Sequence, residues 1–133
     1  KELWAAIPGM FERVVQGTAQ ALGCTVEVKF ERGNLPTVND PAMTDYVAKI
    51  ARQVLGSDRF IPAARPVMGG EDFSYYLERV PGCFFFVGVA PQGAQAYPQL
   101  HTDLFDFSDA ALGVGMRMFV ELVMGIGTLS AER

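Results

Sequence analysis

The chain has 133 residues, half of them hydrophobic and a fifth charged, with a formal net charge of −4 at pH 7. This length and composition are typical of one folded domain or of parts of two, and they exclude a disordered or low-complexity protein. Nucleic acids and anionic membranes bind clustered Lys and Arg side chains, and the sequence contains no such run. We therefore expect no nucleic acid and no membrane among the partners.

The two cysteines do not form a recognisable pair. Cys24 and Cys83 are far apart in the sequence and form no CxxC motif, which favours two small buried hydrophobic residues over a disulfide. A reducing, cytoplasmic location is the corresponding expectation. No basic-then-apolar signal segment opens the chain, and it begins at Lys1 rather than Met. We therefore expect a piece of a longer protein.

A helix followed by a strand is predicted for the first part of the chain. Apolar residues recur at intervals of three and four over residues 8–22, with Pro8 tolerated in the first turn and Gly23 as the stop. Apolar and polar residues then alternate without error over residues 24–31. This pattern predicts a half-buried strand at residues 24–30, in an antiparallel sheet.

The pattern changes near residue 39. Segment 32–39 contains Gly and Pro and is typical of a linker, and Asp40 and Pro41 then form the N-cap and first residue of a helix that ends at Gly56. Alternating elements follow: a strand at 66–68, a helix at 71–79, a continuously apolar strand at 83–89 and a last helix at 109–124. The residues between the two strands suffice for a parallel crossover, which predicts an α/β region.

The last predicted helix is apolar nearly all round, and Ser108 can cap it. Its apolar stretch, residues 110–129, is interrupted by Arg117 and Glu121. We therefore interpret it as a largely covered helix and not as a membrane span.

The single histidine is the first candidate for chemistry. His101 lies in the loop between the apolar strand and the last helix. Ligands of α/β sheets gather outside the carboxyl ends of strands, and this loop leaves such an end. A neutral imidazole there could ligate a metal or act as a general base. The alternative is an ordinary histidine of a surface loop.

The second candidate is the sequence Gly69-Gly70-Glu71-Asp72, at a predicted strand end and helix start. Glycines allow a backbone to approach a ligand closely, and helix-start amides bind anions. The alternative is a helix start whose two carboxylates merely complement the helix dipole. Neither a phosphate-binding loop nor a GxSxG nucleophile motif is present.

Four segments together resemble the C-terminal part of the metal-dependent aminoacylase/carboxypeptidase amidohydrolases. That family includes hippurate hydrolases, N-acyl-amino-acid deacylases and auxin-conjugate hydrolases. The resemblance covers residues 8 to 124, and four segments in register are far more specific than any one of them. In order they are PTVNDP at 36–41, MGGEDFSYY at 68–76, VPGCFFFVG at 80–88 and HTDLFDFSD at 101–109.

The resemblance implies an α/β fold class: a partial catalytic α/β domain preceded by a helix–strand piece of an α+β lid domain. Residues 1–38 would be the C-terminal piece of the lid, or dimerisation, domain. Residues 39–133 would be the C-terminal piece of the catalytic domain. Because the lid of this family often mediates dimerisation, a homo-oligomer is also expected.

The resemblance further implies roles for the two candidates. His101 matches the last metal ligand of the family. Gly69, Gly70, Glu71 and Asp72 match the loop that borders the active site and substrate, with a supporting or substrate-contact role for Glu71. The family cleaves the amide bond of N-acyl amino acids or peptides with water activated by divalent metals, for which zinc, manganese and cobalt are the candidates.

The chain is expected to be inactive alone. The other metal ligands and the general base of the family lie upstream of the matching segments, so we expect no catalytic residue in this chain. Because a zinc-like site needs about three to four protein ligands, we also expect no tightly bound metal. The competing hypothesis is a non-catalytic dimerising or interaction module derived from a truncated hydrolase.

Overall fold

The structure is a computed structural model that describes residues 2–106 and 108–129. Contacts divide the chain into two units, Lys1–Val38 with Met68–Val80 and Asn39–Val67 with Pro81–Arg133. The regular elements of the described residues are α1 (Glu2–Ala21), α2 (Pro41–Leu55), a 3₁₀ turn (Ser57–Arg59), α3 (Ser74–Leu77) and α4 (Ala110–Leu129).

No β-strand forms in residues 2–106 and 108–129, so the α/β fold is not confirmed. The segments predicted as strands, 24–30, 66–68 and 83–89, have no regular secondary structure. A strand forms only when its N–H and C=O groups pair with those of a neighbouring strand. The described part of the chain supplies no such pairing, so an alternating or apolar pattern alone is insufficient to form a sheet.

Helix α1 begins earlier than predicted but ends where predicted. It starts at Glu2 and continues through Pro8, whose missing N–H removes only one bond of the helix. At its end, Gly23 has a φ of 70°, its N–H donates to Gln20 O at 3.1 Å, and the next N–H donates to Ala19 O at 2.9 Å. This pair of bonds is the Schellman motif, which explains why a glycine ends the helix.

The first unit packs an irregular segment along α1. The rings of Phe11 and Phe30 lie 5.6 Å apart, and the guanidinium of Arg32 lies 4.6 Å from the ring centre of Trp4. No residue of α1 becomes buried by this packing. The prediction that Cys24 is buried is wrong, because the segment 24–30 that contains it joins no sheet in the described part of the chain; the thiol forms no disulfide and is exposed.

The second unit is built on α2, whose predicted start and end are confirmed. The Asp40 carboxylate accepts the Met43 N–H at 2.9 Å, Pro41 occupies the first turn, and Gly56 ends the helix. The apolar face of α2 packs against α4. The buried core consists of Tyr46, Val47, Ile50 and Ala51 from α2 and Met118 from α4.

Helix α4 is far less covered than predicted. Met118 is buried, whereas most of the other apolar side chains of the helix are exposed. A helix that is apolar nearly all round needs neighbours on several sides, and α2 is the one helix of the described residues that packs against it. By length and composition alone, residues 110–127 could also cross a bilayer, a criterion that core helices of soluble proteins meet as well.

Candidate functional site

His101 lies on an irregular segment between Val89 and α4, and its side chain is exposed. Its backbone has a φ of 66°, the one positive φ of a non-glycine residue in the described part of the chain. This left-handed conformation costs roughly 1–3 kcal/mol, although histidine tolerates it better than most residues. Beside it, the Thr102 hydroxyl donates to Gln99 O at 2.9 Å, which stabilises the turn that carries the imidazole.

The loop around His101 is closed by hydrogen bonds of its own. The Ser108 N–H donates to Val89 O at 3.4 Å and joins the two ends of the loop. Within it, the Tyr97 hydroxyl donates to Asp106 O at 2.7 Å. The loop that carries the exposed His101 is therefore held together by hydrogen bonds between its own residues.

The Gly69-Gly70-Glu71-Asp72 sequence precedes a shorter helix than predicted. Gly69 and Gly70 are exposed and irregular, and α3 begins at Ser74 instead of Glu71. Ser74 is 1% exposed, and its hydroxyl donates to Glu71 O at 2.6 Å. The buried serine therefore fixes the backbone of Glu71 at the end of the glycine segment.

The two carboxylates of this segment have no structural role that the described residues reveal. Helix α3 has four residues, too few for a macrodipole that Glu71 and Asp72 could complement to any extent. Asp72 is exposed and Glu71 half-buried, and in residues 2–106 and 108–129 neither carboxylate forms a hydrogen bond or an ion pair. Both are therefore available to a ligand.

The two candidates belong to different units, His101 to the second and Gly69–Asp72 to the first. Within the described ranges, no three side chains of the types His, Cys, Asp and Glu come together in a group that could hold a metal. A catalytic zinc keeps about three protein ligands. The described residues therefore do not form a metal site by themselves, and His101 supplies one ligand at most.

The thiol of Cys83 has low reactivity. Burial raises the pKa of its thiol, an effect that a hydrogen bond with Thr44 partly opposes. Because the thiolate and not the thiol is the nucleophile, this shift disfavours reactivity. Cys83 thus serves as a small apolar residue at the edge of the core, although it is half-buried and not buried as predicted.

An anchor at Asn39 was not predicted. Its Nδ2 donates to Phe84 O and its Oδ1 accepts the Phe84 N–H, both at 2.8 Å. The next N–H, of Asp40, donates to Gly82 O at 2.9 Å. A side chain here takes the place of a neighbouring strand. Asn39 lies in the PTVNDP segment that carries the family resemblance, but nothing in that segment indicates a bond to Phe84.

Comparison with known proteins relates most of the chain to one family. Residues 5–125 match the model of "Peptidase family M20/M25/M40". A Bacillus subtilis protein named as an amidohydrolase, YhaA, is 38% identical over 101 residues, which are 76% of this chain and 25% of the relative. The N-acetyldiaminopimelate deacetylase of Pediococcus pentosaceus is 34% identical over 115 residues, 84% of this chain and 28% of the relative.

A third relative, thermostable carboxypeptidase 2 of Saccharolobus solfataricus, is 36% identical over 104 residues, 77% of this chain and 25% of the relative. No solved structure matches the chain. The chain thus spans about a quarter of the length of these curated relatives. The match over residues 5–125 confirms the resemblance found in the four motifs, and the chain belongs to peptidase family M20/M25/M40.

Proposed function

We propose that this chain is the C-terminal part of a metal-dependent amidohydrolase that cleaves the amide bond of N-acyl amino acids or of related small amides and peptides. The observation that carries the proposal is the family match over residues 5–125, together with relatives named as an amidohydrolase, a deacetylase and a carboxypeptidase. Because the chain spans about a quarter of these relatives, turnover is a property of the longer protein.

In that protein, His101 is one metal ligand. Its exposed imidazole, on a closed loop with a strained backbone, supports this role, since strained conformations cluster at functional sites. When bound, a divalent metal such as zinc, manganese or cobalt polarises the amide carbonyl and activates water. The remaining ligands and the general base come from residues outside this chain.

The Gly69-Gly70-Glu71-Asp72 segment contacts the substrate. Two exposed glycines allow a substrate to approach the backbone closely. The two carboxylates, which have no internal partners, can accept hydrogen bonds from the amide or ammonium groups of that substrate. Glu71 has a supporting role, because Ser74 holds its backbone in place.

We also propose the domain assignment that the motifs imply: a lid piece at 1–38 and a catalytic piece at 39–133, in a cytoplasmic homo-oligomer. The change of contacts at residue 38 supports the boundary. Residues 68–80 group with the first unit, so the contacts and the proposed domains differ for that segment.

The test compares the chain with a longer protein that contains it and the upstream part of the family. We expect no hydrolysis of N-acetyl amino acids by the 133-residue chain with added zinc, manganese or cobalt, and metal-dependent hydrolysis by the longer protein. In the longer protein, His101→Ala lowers the bound metal per chain and abolishes turnover. Glu71→Gln, which removes the charge of a carboxylate that we do not assign as a metal ligand, is the control. It retains the metal and reduces turnover less than His101→Ala does.

Two results would overturn the proposal. One is turnover by the 133-residue chain that persists through purification and is lost in His101→Ala. The other is full metal content and turnover in the His101→Ala variant of the longer protein, which would return His101 to an ordinary surface histidine.

A further inference from the structure

Ser74 is the one buried polar residue in the part of the chain that the structure describes, and it closely follows the Gly69–Asp72 segment. Its hydroxyl donates to Glu71 O at 2.6 Å, and its backbone N–H donates to the same oxygen at 3.2 Å. A carbonyl oxygen has two lone pairs, and here one residue supplies a donor to each of them. Because the backbone N–H alone gives this oxygen a partner, the hydroxyl adds a second bond that fixes the direction of the carbonyl group.

The direction of the Glu71 carbonyl determines how the backbone of the segment runs. The peptide unit that joins Glu71 to Asp72 is planar, so two donors on its oxygen fix the whole plane. Gly69 and Gly70, just before it, have no side chain to restrict their backbone conformation. The bonds from Ser74 therefore supply an order that the two glycines do not supply.

A second contact supports the segment from the linker that precedes α2. A Cβ added to Gly70 would lie 3.7 Å from both Cβ and Nδ2 of Asn34, which is ordinary van der Waals contact. The backbone of Gly70 thus passes beside the Asn34 side chain, and both residues belong to the first unit, as Ser74 does. The segment is therefore supported at Gly70 as well as at Glu71.

We infer that Ser74 is a positioning residue, whose hydroxyl holds the Glu71 backbone so that the Gly69–Asp72 segment binds substrate in one geometry. Ser74 is 1% exposed and too buried to touch a substrate, so it acts through Glu71. The Glu71 carboxylate forms no hydrogen bond or ion pair with the described residues, so the backbone is what places it. A segment that is already ordered loses less conformational freedom when a substrate binds, which strengthens binding. The inference rests on the proposed function, because it concerns the substrate of that site.

The test compares Ser74→Ala with Tyr46→Phe in the longer protein. Each variant loses a buried hydroxyl that donates to a backbone carbonyl at 2.6 Å, but the bond of Tyr46 lies in the second unit. We expect Ser74→Ala to raise the KM for an N-acetyl amino acid at least ~5-fold and to change kcat by less than about twofold, which is the pattern of lost substrate binding. Tyr46→Phe should leave KM within about twofold of wild type. Ser74→Cys keeps a weak donor and should give an intermediate KM.

Limited proteolysis of the same proteins reports on the segment without turnover. A glutamate-specific protease cleaves the bond after Glu71 only when the backbone there opens locally, so cleavage measures how firmly Ser74 holds it. We expect this bond to be cleaved at least ~5-fold faster in Ser74→Ala than in wild type or Tyr46→Phe. Circular dichroism checks that all variants keep their helices.

Several results would overturn the inference. One is an unchanged KM in Ser74→Ala, whether or not cleavage after Glu71 becomes faster. Another is a raised KM without faster cleavage, because the Glu71 backbone would then still be held. An equal rise of KM in Ser74→Ala and Tyr46→Phe overturns it as well, since the loss of any buried hydrogen bond would then suffice. Absence of turnover in the wild-type longer protein would overturn the proposed function itself, and an active wild type with an unchanged KM in Ser74→Ala separates the two failures.

Discussion

The hydroxyl oxygen of Tyr46 lies 2.6 Å from the point where a Cβ on Gly125 would stand. The same hydroxyl donates to Leu122 O at 2.6 Å and joins α2 to α4. Tyr46 is 5% exposed, so this bond lies inside the core of the second unit. The absence of a side chain at residue 125 therefore allows the two helices to approach each other at this bond.

Gly125→Ala should destabilise the second unit. The added methyl group would displace the Tyr46 ring, and overpacking of this kind lowers the free energy of unfolding by ~1–3 kcal/mol. The higher helix propensity of alanine offsets about 1 kcal/mol of this loss. We expect a net loss of up to ~2 kcal/mol in the free energy of unfolding, measured by urea denaturation.

Gly113→Ala is the matched control on the same helix, because nothing lies within 4 Å of its added Cβ. At residue 113 the higher helix propensity of alanine is the only effect, and the free energy of unfolding should rise by up to ~1 kcal/mol. Equal effects of the two alanines would show that the approach of Tyr46 to Gly125 is unimportant for stability.

The contrast between α2 and the predicted strands shows what the sequence determines locally. The start and end of α2 were predicted because Asp40, Pro41 and Gly56 act on backbone groups within four residues of themselves. A strand at 24–30 or 83–89 depends on partners that are remote in the sequence, and the described residues contain none. The same distinction between what the sequence predicts and what it does not applies to the candidate site. His101 is a candidate because of its residue type and motif, whereas its left-handed backbone has no sequence signal.

The anchor at Asn39 gives a second stability prediction. Asn39→Ala removes both 2.8 Å bonds and leaves the N–H and C=O of Phe84 without these partners in a half-buried place. We expect a loss of ~1–3 kcal/mol, measured by urea denaturation. Asn39→Asp should lose a similar amount, because a carboxylate can accept the N–H but repels the carbonyl oxygen.

Asn34 provides the control for the anchor, since it is exposed. Asn34→Ala should change the stability by no more than about 0.5 kcal/mol. Near-native stability of both Asn39 variants would mean that the pairing with Phe84 does not hold segment 82–86 in place.

Tyr46 also predicts a loss of stability at alkaline pH. Burial raises the pKa of its phenol above the ordinary value of 10.0. The unfolded state therefore releases this proton at a lower pH than the folded state does. The contribution is complete below about pH 10 and is lost as the pH rises from there through the folded-state pKa.

Tyr46→Phe should reduce the slope of stability against pH in this alkaline range, although it lowers stability at neutral pH by roughly 1 kcal/mol through the lost hydrogen bond. Tyr75→Phe removes an exposed phenol and should leave the slope unchanged. The measurement is the urea midpoint between about pH 8 and about pH 11. An identical alkaline slope in wild type and Tyr46→Phe would exclude Tyr46 as its source.

The last prediction separates the backbone of His101 from its imidazole. Because a residue with a side chain costs roughly 1–2 kcal/mol in the left-handed region and glycine does not, His101→Gly should stabilise the 133-residue chain by about 1 kcal/mol. His101→Ala keeps that cost and should leave stability within about 0.5 kcal/mol of wild type. In the longer protein both variants lack the imidazole, and both should lose metal and turnover alike. His101→Gly therefore exceeds wild type in the thermal stability of the chain and falls below wild type in the metal content of the longer protein only if His101 combines a strained backbone with a ligand role. A glycine variant no more stable than the alanine variant would show that the left-handed conformation carries no strain.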